Sequence, residues 1–434
     1  MGGGTLQLVI FGGQDIHITG NPEMSYFKSV YRRHTNFSME SIEQTRMGDI
    51  RSTDFTLNYK ISKSGDLLSK MQFEIDLPAQ TMTNVGSSNY CTYTNNTAYS
   101  YLKDVELMIG EKMIDKHDGR FYDILNELNH TNNTGLDYIV NKHSAGVTGN
   151  TSPPAVRMFI PLQFWFSKGD ISQSLPLIAL QYNDVKIRVR FRGIKKIINA
   201  EKTSTPSDVL VSGGDSPKVP TIKLWANYIL LDIDERKRFS QNSHEYLIEQ
   251  VQMINKEYRP RIDINLNHPV KCLYWVIQNN IANTERTDYT KIDNTVNEST
   301  EGDWHSNDYL NFRPNYVLNP SYIKSIEQYE HFKEMTIMFN GINRFEYRDA
   351  TYFRTIQPLE AGYTFPEKNI YLYSFSITPE EHQPSGSCNF SRIDNVTFNF
   401  TGDQSYTGYT FNLYAKNYNI LRIMEGMGGL LYSN

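Results

Sequence analysis

The chain has 434 residues, with 43 lysines and arginines against 48 aspartates and glutamates, so its formal net charge is −5. That balance argues against nucleic acid as a direct partner, because polyphosphate binders carry a basic excess. Tyrosine and phenylalanine make up most of the 13% aromatic share, and these side chains favour pleated, half-buried surfaces. The length exceeds one ordinary all-β core, so we expect two domains of about 200 residues each.

The cysteines and the N-terminus indicate a chain that folds in a reducing compartment. Cys91, Cys272 and Cys388 are odd in number and far apart, which is not the pattern of a disulfide framework. The apolar run at residues 6–11 is short and follows no basic segment, so it is not typical of a signal peptide. No stretch of about 18 apolar residues occurs, and no transmembrane helix is predicted.

Strand-like alternation of apolar and polar residues recurs along the chain, whereas long helical periodicity is scarce. In residues 71–77, Met71, Phe73 and Ile75 would face one side of a strand and the intervening polar residues the other. The other predicted strands are residues 185–191, 337–339, 371–377 and 396–400. Polar loops lie at residues 79–97, 130–154, 200–220 and 279–319. Short strands between long loops predict an all-β fold of the sandwich or jelly-roll type.

The strongest helical pattern lies in residues 232–250, DIDERKRFSQNSHEYLIEQ, near the middle of the chain. The segment is charged and is interrupted by SQNS. We predict that it is a helical connector between two domains.

An internal repeat supports two similar domains. The segment FIPLQFWF from Phe159 matches IYLYSFSI from Ile370 at an offset of 211 residues. Asn183 and Asp394, which begin the segments NDV and DNV, keep the same offset of 211. Two separate stretches that share one offset indicate a duplicated unit.

Two further blocks follow the same order in both halves of the chain. VELMIGEKMIDKHDGRFY from Val105 resembles MTIMFNGINRFEYRDATYF from Met335 with one inserted residue, and LWANY from Leu224 resembles LYAKNY from Leu413. Because the order of the blocks is preserved and only the loop lengths differ, we predict a duplicated β domain.

The sequence carries no catalytic, cofactor-binding or metal-binding signature, so no enzyme is predicted. The N-terminal glycines lack the spacing of a phosphate loop and of a dinucleotide-binding turn. His244 and Glu245 begin like a zinc-protease helix, but residue 248 is isoleucine where a second histidine is needed. The acidic pair Glu380 and Glu381 is interpreted as solvated loop, and so are solitary histidines such as His117.

The clearest charge pattern is KIRVRFR, in which Lys186, Arg188, Arg190 and Arg192 share one face of a strand whose other face is apolar. One interpretation of this basic stripe is a solvated outer face above a buried inner one. The other is contact with a neighbour, for which an acidic protein suits the net charge better than nucleic acid. The pattern alone leaves both interpretations open.

Nine N-x-S/T sequons are present, and a chain rich in Asn, Ser and Thr produces some of them by chance. Four of them lie in predicted loops and are the predicted glycosylation sites: Asn95, Asn132, Asn150 and Asn297. In the segment PSGSCNFSRIDN, the repeat places Cys388 opposite Leu177. We therefore expect Cys388 to be a small buried apolar residue rather than a nucleophile, and the adjacent sequon at Asn389 to be poorly placed.

Six blocks, from near the first residue to the last, carry a family resemblance. They are GGQDIHITGNPEMSYFKSVYRRHTNFSMESIEQT from Gly12, DVELMIGEKMIDKH from Asp104, LPLIALQYNDVKI from Leu175, LDIDERKRFSQNSHEYLIEQ from Leu231, PSGSCNFSRIDN from Pro384 and YAKNYNILRIMEGMGGLLYSN from Tyr414. In this order they closely resemble the major capsid protein of large icosahedral double-stranded DNA viruses, such as the phycodnaviruses.

The resemblance implies an all-β double jelly roll: two tandem eight-stranded barrels with short helices and long loops. Residues 1–24 would form an arm at the base of the capsomer, 25–234 the first jelly-roll domain, 235–247 a connector and 248–434 the second jelly-roll domain. Three chains would form a pseudo-hexagonal capsomer, and capsomers would tile a shell over an internal lipid membrane.

The same resemblance implies a structural role in the virion shell, with assembly in the host cytoplasm. Neighbouring capsomers, minor capsid proteins and penton proteins would be the partners, and the loops at 79–97, 130–154 and 279–319 would form outer towers. Two alternatives from other classes are a carbohydrate-binding or host-attachment module, since jelly rolls often serve as lectins, and a β-sandwich hydrolase. The missing catalytic residues argue against the hydrolase.

Overall fold

In a computed structural model of the chain, the described residues are 3–80, 82–83, 91–129, 134–142, 153–200, 210–211, 217–280, 283, 285, 307–312, 314, 330–402 and 408–432. They belong to two units, Met1–Phe37 and Ser38–Asn434. The first unit contains helices α1 (Gly3–Val9) and α2 (Ile16–Thr19), whose side chains are exposed. The second unit contains two β-barrels.

The first barrel consists of two five-stranded sheets and two short strand pairs. Its strands are β1 (Phe37–Gln44), β2 (Arg46–Met47), β3 (Phe55–Lys60), β4 (Leu67–Leu77), β5 (Met82–Thr83), β6 (Cys91–Tyr93), β7 (Leu102–Ile109), β8 (Lys112–Asp118), β9 (Val156–Pro161), β10 (Leu175–Pro176), β11 (Val185–Phe191), β12 (Ile198–Ala200), β13 (Leu210–Val211) and β14 (Thr221–Leu231). One sheet has the order β1-β14-β4-β10, with β9 also on β4, and the other has the order β2-β3-β11-β7-β8. Strand β12 pairs with β6, and β13 pairs with β5.

The second barrel consists of a six-stranded and a five-stranded sheet. Its strands are β15 (His244–Glu257), β16 (Arg261–Ile264), β17 (Pro269–Asn279), β18 (Glu334–Phe339), β19 (Ile342–Asn343), β20 (Arg348–Asp349), β21 (Ile370–Ser374), β22 (Cys388–Asn389), β23 (Val396–Thr401), β24 (Tyr409–Met424) and β25 (Met427–Leu430). One sheet has the order β15-β24-β17-β21, with β22 on β17 and β25 on β24. The other has the order β16-β23-β18-β19, with β20 on β18.

The helices of the second unit are short and lie between strands. They are α3 (Thr97–Tyr101), α4 (Gly119–Leu128), α5 (Thr134–Ile139), α6 (Ile233–Gln241), and a π-helical turn (Tyr352–Ile356) that continues into α7 (Gln357–Glu360). Single 3-10 turns occur at Trp165–Ser167, Ile171–Gln173, Ile194–Ile197 and Phe390–Arg392. In the part of the chain that the structure describes, no helix is long and apolar enough to cross a membrane.

Both barrels have the same jelly-roll topology. The eight main strands of the first are β1, β3, β4, β7, β8, β9, β11 and β14, and those of the second are β15, β16, β17, β18, β19, β21, β23 and β24. Numbered 1 to 8 in chain order, the strands of each barrel form one sheet 1-8-3-6 and one sheet 2-7-4-5. This is the two-sheet arrangement of a jelly roll, so the predicted double jelly roll is confirmed.

The pairing register is repeated as well as the topology. Ile109 of β7 lies opposite Val185 of β11, and Phe339 of β18 lies opposite Val396 of β23. The sequence repeat matches Ile109 with Phe339 and Val185 with Val396. The duplicated β domain is therefore confirmed at the level of individual residue pairs.

The predicted helix 232–250 is only half correct. Helix α6 ends at Gln241, and the segment from His244 onward is the long strand β15. The polar SQNS segment ends the helix, and the segment that follows, rich in apolar and β-branched residues, pairs with β24 from Ile423 back to Thr410. Tertiary pairing therefore outweighs the helical pattern in the second half of the segment.

Two hydrophobic clusters contain most of the buried apolar side chains among the described residues of the second unit. One lies within the second barrel, and the other fills the first barrel and continues onto the outer face of β17. Along β17, Leu273 and Trp275 face the inner cluster, whereas Cys272, Tyr274 and Val276 face the first barrel. Strand β17 is thus buried on both faces, and it joins the two barrels.

Candidate functional site at the junction between the barrels

The junction is built from strand β8 and helix α4 of the first barrel, packed on the 1-8-3-6 sheet of the second. Asp118 at the end of β8 starts the helix, since its carboxylate accepts a hydrogen bond from the backbone N–H of Phe121 at 2.9 Å. A Cβ on Gly119 would lie 2.0 Å from the carbonyl oxygen of Tyr99, so glycine is required where α4 passes α3. Local sequence therefore fixes where the helix meets the second barrel.

Helix α4 contacts the second barrel through an aromatic ring and a guanidinium. The Phe121 ring stacks on Tyr414 of β24, with centroids 5.5 Å apart. Arg120 Nη1 donates to Asn412 Oδ1 at 2.9 Å, and the Tyr414 hydroxyl donates to Asp118 Oδ2 at 2.8 Å. Burial raises the pKa of Tyr414 well above its usual value, so its hydroxyl stays protonated as a donor.

Strand β8 also meets the edge strand β15. The side chain of Gln250 donates to the carbonyl oxygen of Ile114, and the Val251 backbone N–H donates to Asp115 Oδ1 at 3.1 Å. His117 of β8 is buried, lies 3.0 Å from Asp115 Oδ2 and stacks on Phe164. The interpretation of His117 as a solvated loop histidine is therefore wrong, because alternation along β8 turns it into the core.

Five charged side chains meet at one end of the junction, and we refer to them as the ion cluster: Lys168, Glu249, Lys271, Glu380 and Lys416. Glu249 contacts Lys168 and Lys271, and it lies 3.5 Å from Lys416 Nζ. Glu380 accepts from Lys416 at 2.8 Å and lies 3.7 Å from Lys168. Lys168 comes from the first barrel and the other four from the second, so the cluster ties the barrels together.

Three lysines share two glutamates in this cluster, and the pKa values reflect that imbalance. Burial by itself would raise the pKa of Glu249, but Lys416, Lys168 and Lys271 together hold it well below its usual value. The same competition of burial with Lys416 and Lys168 lowers the pKa of Glu380 to about 2. Burial and the neighbouring Lys416 lower the pKa of Lys271 to about 8.

The cluster is suited to holding surfaces together rather than to catalysis. Tyr274 and Tyr363 hydrogen-bond each other beside it at 2.6 Å, and burial raises the pKa of both. Burial likewise raises the pKa of the Cys272 thiol to about 12, so none of these groups is an activated nucleophile. Within the described ranges, no group of three or more His, Cys, Asp and Glu side chains is arranged to hold a metal ion.

The ion cluster corrects the sequence interpretation of Glu380. No sequence pattern predicted the cluster itself. Glu380, interpreted as a solvated loop acid, accepts bonds from Lys416 and from the Tyr363 hydroxyl at 2.6 Å. Glu381 keeps a local contact, since it accepts from the Thr378 hydroxyl at 3.1 Å. Adjacent acids can therefore differ completely in environment when one of them reaches a lysine from another strand.

Acid is expected to weaken the junction through the carboxylates. A carboxyl group whose pKa is lowered on folding adds stability above its unfolded pKa and loses it as the pH falls through the folded value. For Glu380 that window runs from its usual value of 4.5 down to about 2. We expect the urea concentration at the unfolding midpoint to decrease as the pH is lowered from 4.5 to about 2. In E380Q this decrease should be smaller. An unchanged slope in E380Q would contradict this.

The acids beside the basic stripe compensate most of its charge within the chain. Three of its cations pair with acids on β7 or in the turn after it. The pairs are Lys186 with Glu111 at 2.7 Å, Arg188 with Glu106 at 3.4 Å and Arg190 Nε with Asp104 at 2.7 Å. Arg192 is largely buried, with Nη1 donating to the Ser100 carbonyl at 2.6 Å and the guanidinium 4.0 Å from the Tyr309 ring centre. Arg188 is the most exposed member of the stripe.

The structure describes only part of the predicted glycosylation set. Asn95 is exposed in the turn before α3, whereas Asn132, Asn150 and Asn297 lie outside the described residues. Cys388 is half-buried against the inner cluster of the second barrel, and burial raises the pKa of its thiol, in agreement with an apolar role. Asn389 is exposed, contrary to the expectation from the repeat.

Comparisons with known proteins agree with the fold. The family model for the major capsid protein N-terminus matches residues 25–232, and that for the large eukaryotic DNA virus major capsid protein matches residues 235–429. The major capsid proteins of Pyramimonas orientalis virus and Paramecium bursaria Chlorella virus 1 are 39% and 34% identical to the chain, with 100% of each chain covered.

Solved structures give the same answer. A chain of the PBCV-1 virus capsid matches with a TM-score of 0.71 at 33% identity, covering 94% of this chain and 100% of that one. The Faustovirus major capsid protein matches with a TM-score of 0.73 at 13% identity, covering 95% of this chain and 94% of that one, and supports the fold alone. The chain therefore belongs to the family of major capsid proteins of large eukaryotic DNA viruses, which are structural components of the icosahedral capsid and not enzymes.

Proposed function

We propose that three copies of this chain assemble into a pseudo-hexagonal capsomer of the virion shell. The observation that carries the proposal is the repeated register, Ile109 with Val185 in one barrel and Phe339 with Val396 in the other. Two barrels of one shape in each chain give a ring of three chains six similar corners, which suits hexagonal packing by one gene product. We assign residues 1–24 to a basal arm, 25–234 and 248–434 to the two domains, and 235–247 to the connector.

The mass of the purified protein tests the trimer. We expect light scattering in mild buffer to give three times the 50.2 kDa of one chain. Low-resolution images of the same sample should show pseudo-hexagonal particles. A preparation that contains only stable monomers would argue against the capsomer.

We further propose that the arm holds capsomers to their neighbours, or to minor capsid and penton proteins, above the internal membrane. Its support is a run of exposed apolar side chains in the first unit: Leu6, Leu8, Val9, Ile10 and Phe11. Exposed apolar surface of this kind favours a protein contact, and a short arm gains order when it binds.

Deleting residues 2–24 should separate capsomer formation from shell formation. We expect the shortened chain to form trimers, because the barrels remain, but to lose ordered arrays by electron microscopy. Replacing Leu8, Ile10 and Phe11 with serine should have the same effect with the arm length kept. Normal shells from either variant would refute the proposed role of the arm.

The remaining expectations concern the outer surface. Glycosylation at Asn95, Asn132, Asn150 and Asn297, attachment to host glycans through the outer loops, and assembly in the host cytoplasm stay predictions. Mass spectrometry of protein from virions tests the first, and glycan-array binding with and without the 279–319 loop tests the second. Contact of the basic stripe with an acidic neighbour also stays a prediction, for which Arg188 is the best placed residue.

A further inference from the structure

A cavity of about 410 Å³ lies between the two barrels of one chain. The first barrel contributes residues of β7 and β8 and the start of α4 to its walls, and the second barrel contributes residues of β15 and β24. None of the five members of the ion cluster lines it. The cavity is therefore a second polar site at the junction, separate from the ion cluster.

Positive charge is in excess around this cavity. Its described walls contain four cationic and three acidic side chains: Lys103, Lys116, Arg120 and Arg192, against Asp104, Asp118 and Glu285. Two of the acids are bound by cations that lie outside the walls. Arg190 Nε donates to Asp104 Oδ1 at 2.7 Å, and Lys196 Nζ donates to Glu285 Oε2 at 2.6 Å. The cations of the walls are thus only partly neutralised by the acids beside them.

The second barrel directs a buried amide at the cavity. Asn412 is 2% exposed, and its Oδ1 accepts from Arg120 Nη1 at 2.9 Å and from Asn255 Nδ2 at 2.7 Å. Two donors on one atom identify it as the oxygen, which fixes the orientation of the amide. Nδ2 has no hydrogen-bond partner among the described residues. Asn412 therefore has a buried N–H donor to offer.

The first barrel supplies a second donor of the same kind. The side chain of Arg192 is 13% exposed, and its Nη1 donates to the Ser100 carbonyl. Its Nε is 3.4 Å from Glu285 Oε1 but has no hydrogen-bond partner within the described part of the chain. Burial lowers the pKa of Arg192, Tyr309 and Glu285 oppose this, and Arg120 adds to it. The charge of this guanidinium is therefore incompletely compensated.

The chemistry of these two groups defines what would fill the cavity. Both are N–H donors, and buried donors in folded proteins normally have an acceptor. An occupant must therefore present acceptor oxygens, and the excess of cations favours an anion. Guanidinium and ammonium groups together are the usual partners of phosphate. The volume also leaves room for a small organic group attached to the phosphate.

We propose that this cavity binds a small phosphate-bearing molecule, whose oxygens accept from Asn412 Nδ2 and Arg192 Nε. Lys103 would supply the outer charge, since its contacts with Glu285 and Asp54 are long, at 3.5 and 3.7 Å. Because Arg192 belongs to the first barrel and Asn412 to the second, the bound molecule joins the barrels. The site lies within one chain and does not depend on the proposed trimer.

Inorganic phosphate is the probe for this site. A ligand that binds only the folded chain stabilises it by mass action, so Tm should rise with phosphate concentration at constant ionic strength. Equilibrium dialysis should give one bound phosphate per chain. Succinate, a dicarboxylate, should bind more weakly. Absence of bound phosphate would mean that the cavity holds water only, and equal binding of succinate would exclude phosphate as the preferred group. Either result would overturn the proposal.

Charge reversal at Lys103 separates the site from a general salt effect. Phosphate also stabilises proteins by exclusion from their surface, but that effect is the same in every variant. K103E should fold, because Lys103 is 40% exposed, and should bind phosphate roughly tenfold or more weakly. K103M, which only removes the charge, should show a smaller loss. The control K186E alters a lysine of 35% exposure outside the cavity and should bind normally. Unchanged binding in K103E, or equal losses in K103E and K186E, would overturn the site.

Discussion

Replacing Glu249 with glutamine is expected to lower the free energy of unfolding by about 3–5 kcal/mol, which is the usual cost of leaving buried charge without its partner. Glu249 is 6% exposed and contacts Lys168, Lys271 and Lys416. Glutamine keeps the size of the side chain but removes its charge, so three lysines would remain with Glu380 alone. Urea unfolding at pH 7 and one fixed chain concentration measures the loss.

A matched control lies at the C-terminal end of the same strand. Glu257 ends β15 and pairs with Arg259 at 2.6 Å, but both side chains are exposed. Exposed pairs contribute about 0–1 kcal/mol, so E257Q should change the stability by no more than that. Equal losses in E249Q and E257Q would refute a special role for the ion cluster.

Removing a positive charge from the ion cluster should lower the stability of the chain less than removing a negative charge. Lysine is in surplus, and the pKa of Lys271 is lowered to about 8 by burial and by Lys416. Replacing Lys271 with methionine removes the surplus charge and fills the same buried space, so we expect a small effect or a gain in stability. A loss as large as that of E249Q would show that Lys271 is needed as a partner of Glu249.

The repeat allowed the fold to be predicted from the sequence because both barrels keep one register. Alternation placed Phe73 and Ile75 inside, and both are buried in β4. Strand β17 gave no such signal, since it is buried on both faces and its residues from Cys272 to Ile277 form a continuous apolar run. Alternation of apolar and polar residues identifies strands that have one face exposed to water. It does not identify β17, which joins the barrels and is buried on both faces.

The ion cluster could not be predicted from sequence for a different reason. Its members come from five segments, with Lys168 and Lys416 far apart along the chain, and each looks like an ordinary surface residue. Only the pairing of β24 with β15 and with β17 brings Glu249, Lys271 and Lys416 together.

The same substitution at a buried and at an exposed leucine should separate the folding of the chain from its assembly. Leu128 is buried at the junction, so L128A is expected to cost about 2–5 kcal/mol at every chain concentration. Leu359 is 60% exposed, so L359A should change the stability of the dilute, monomeric chain by less than about 0.5 kcal/mol. Urea unfolding over a range of concentrations measures both.

The dependence of each stability effect on chain concentration shows whether the leucine contacts another copy of the chain. If Leu359 is covered by the next copy, its loss weakens the trimer, and the effect of L359A must grow as the unmodified chain gains stability from association. The effect of L128A must not grow, because its partner surface is in the same chain. A concentration-independent effect of L359A would mean that Leu359 stays exposed to solvent in the capsomer.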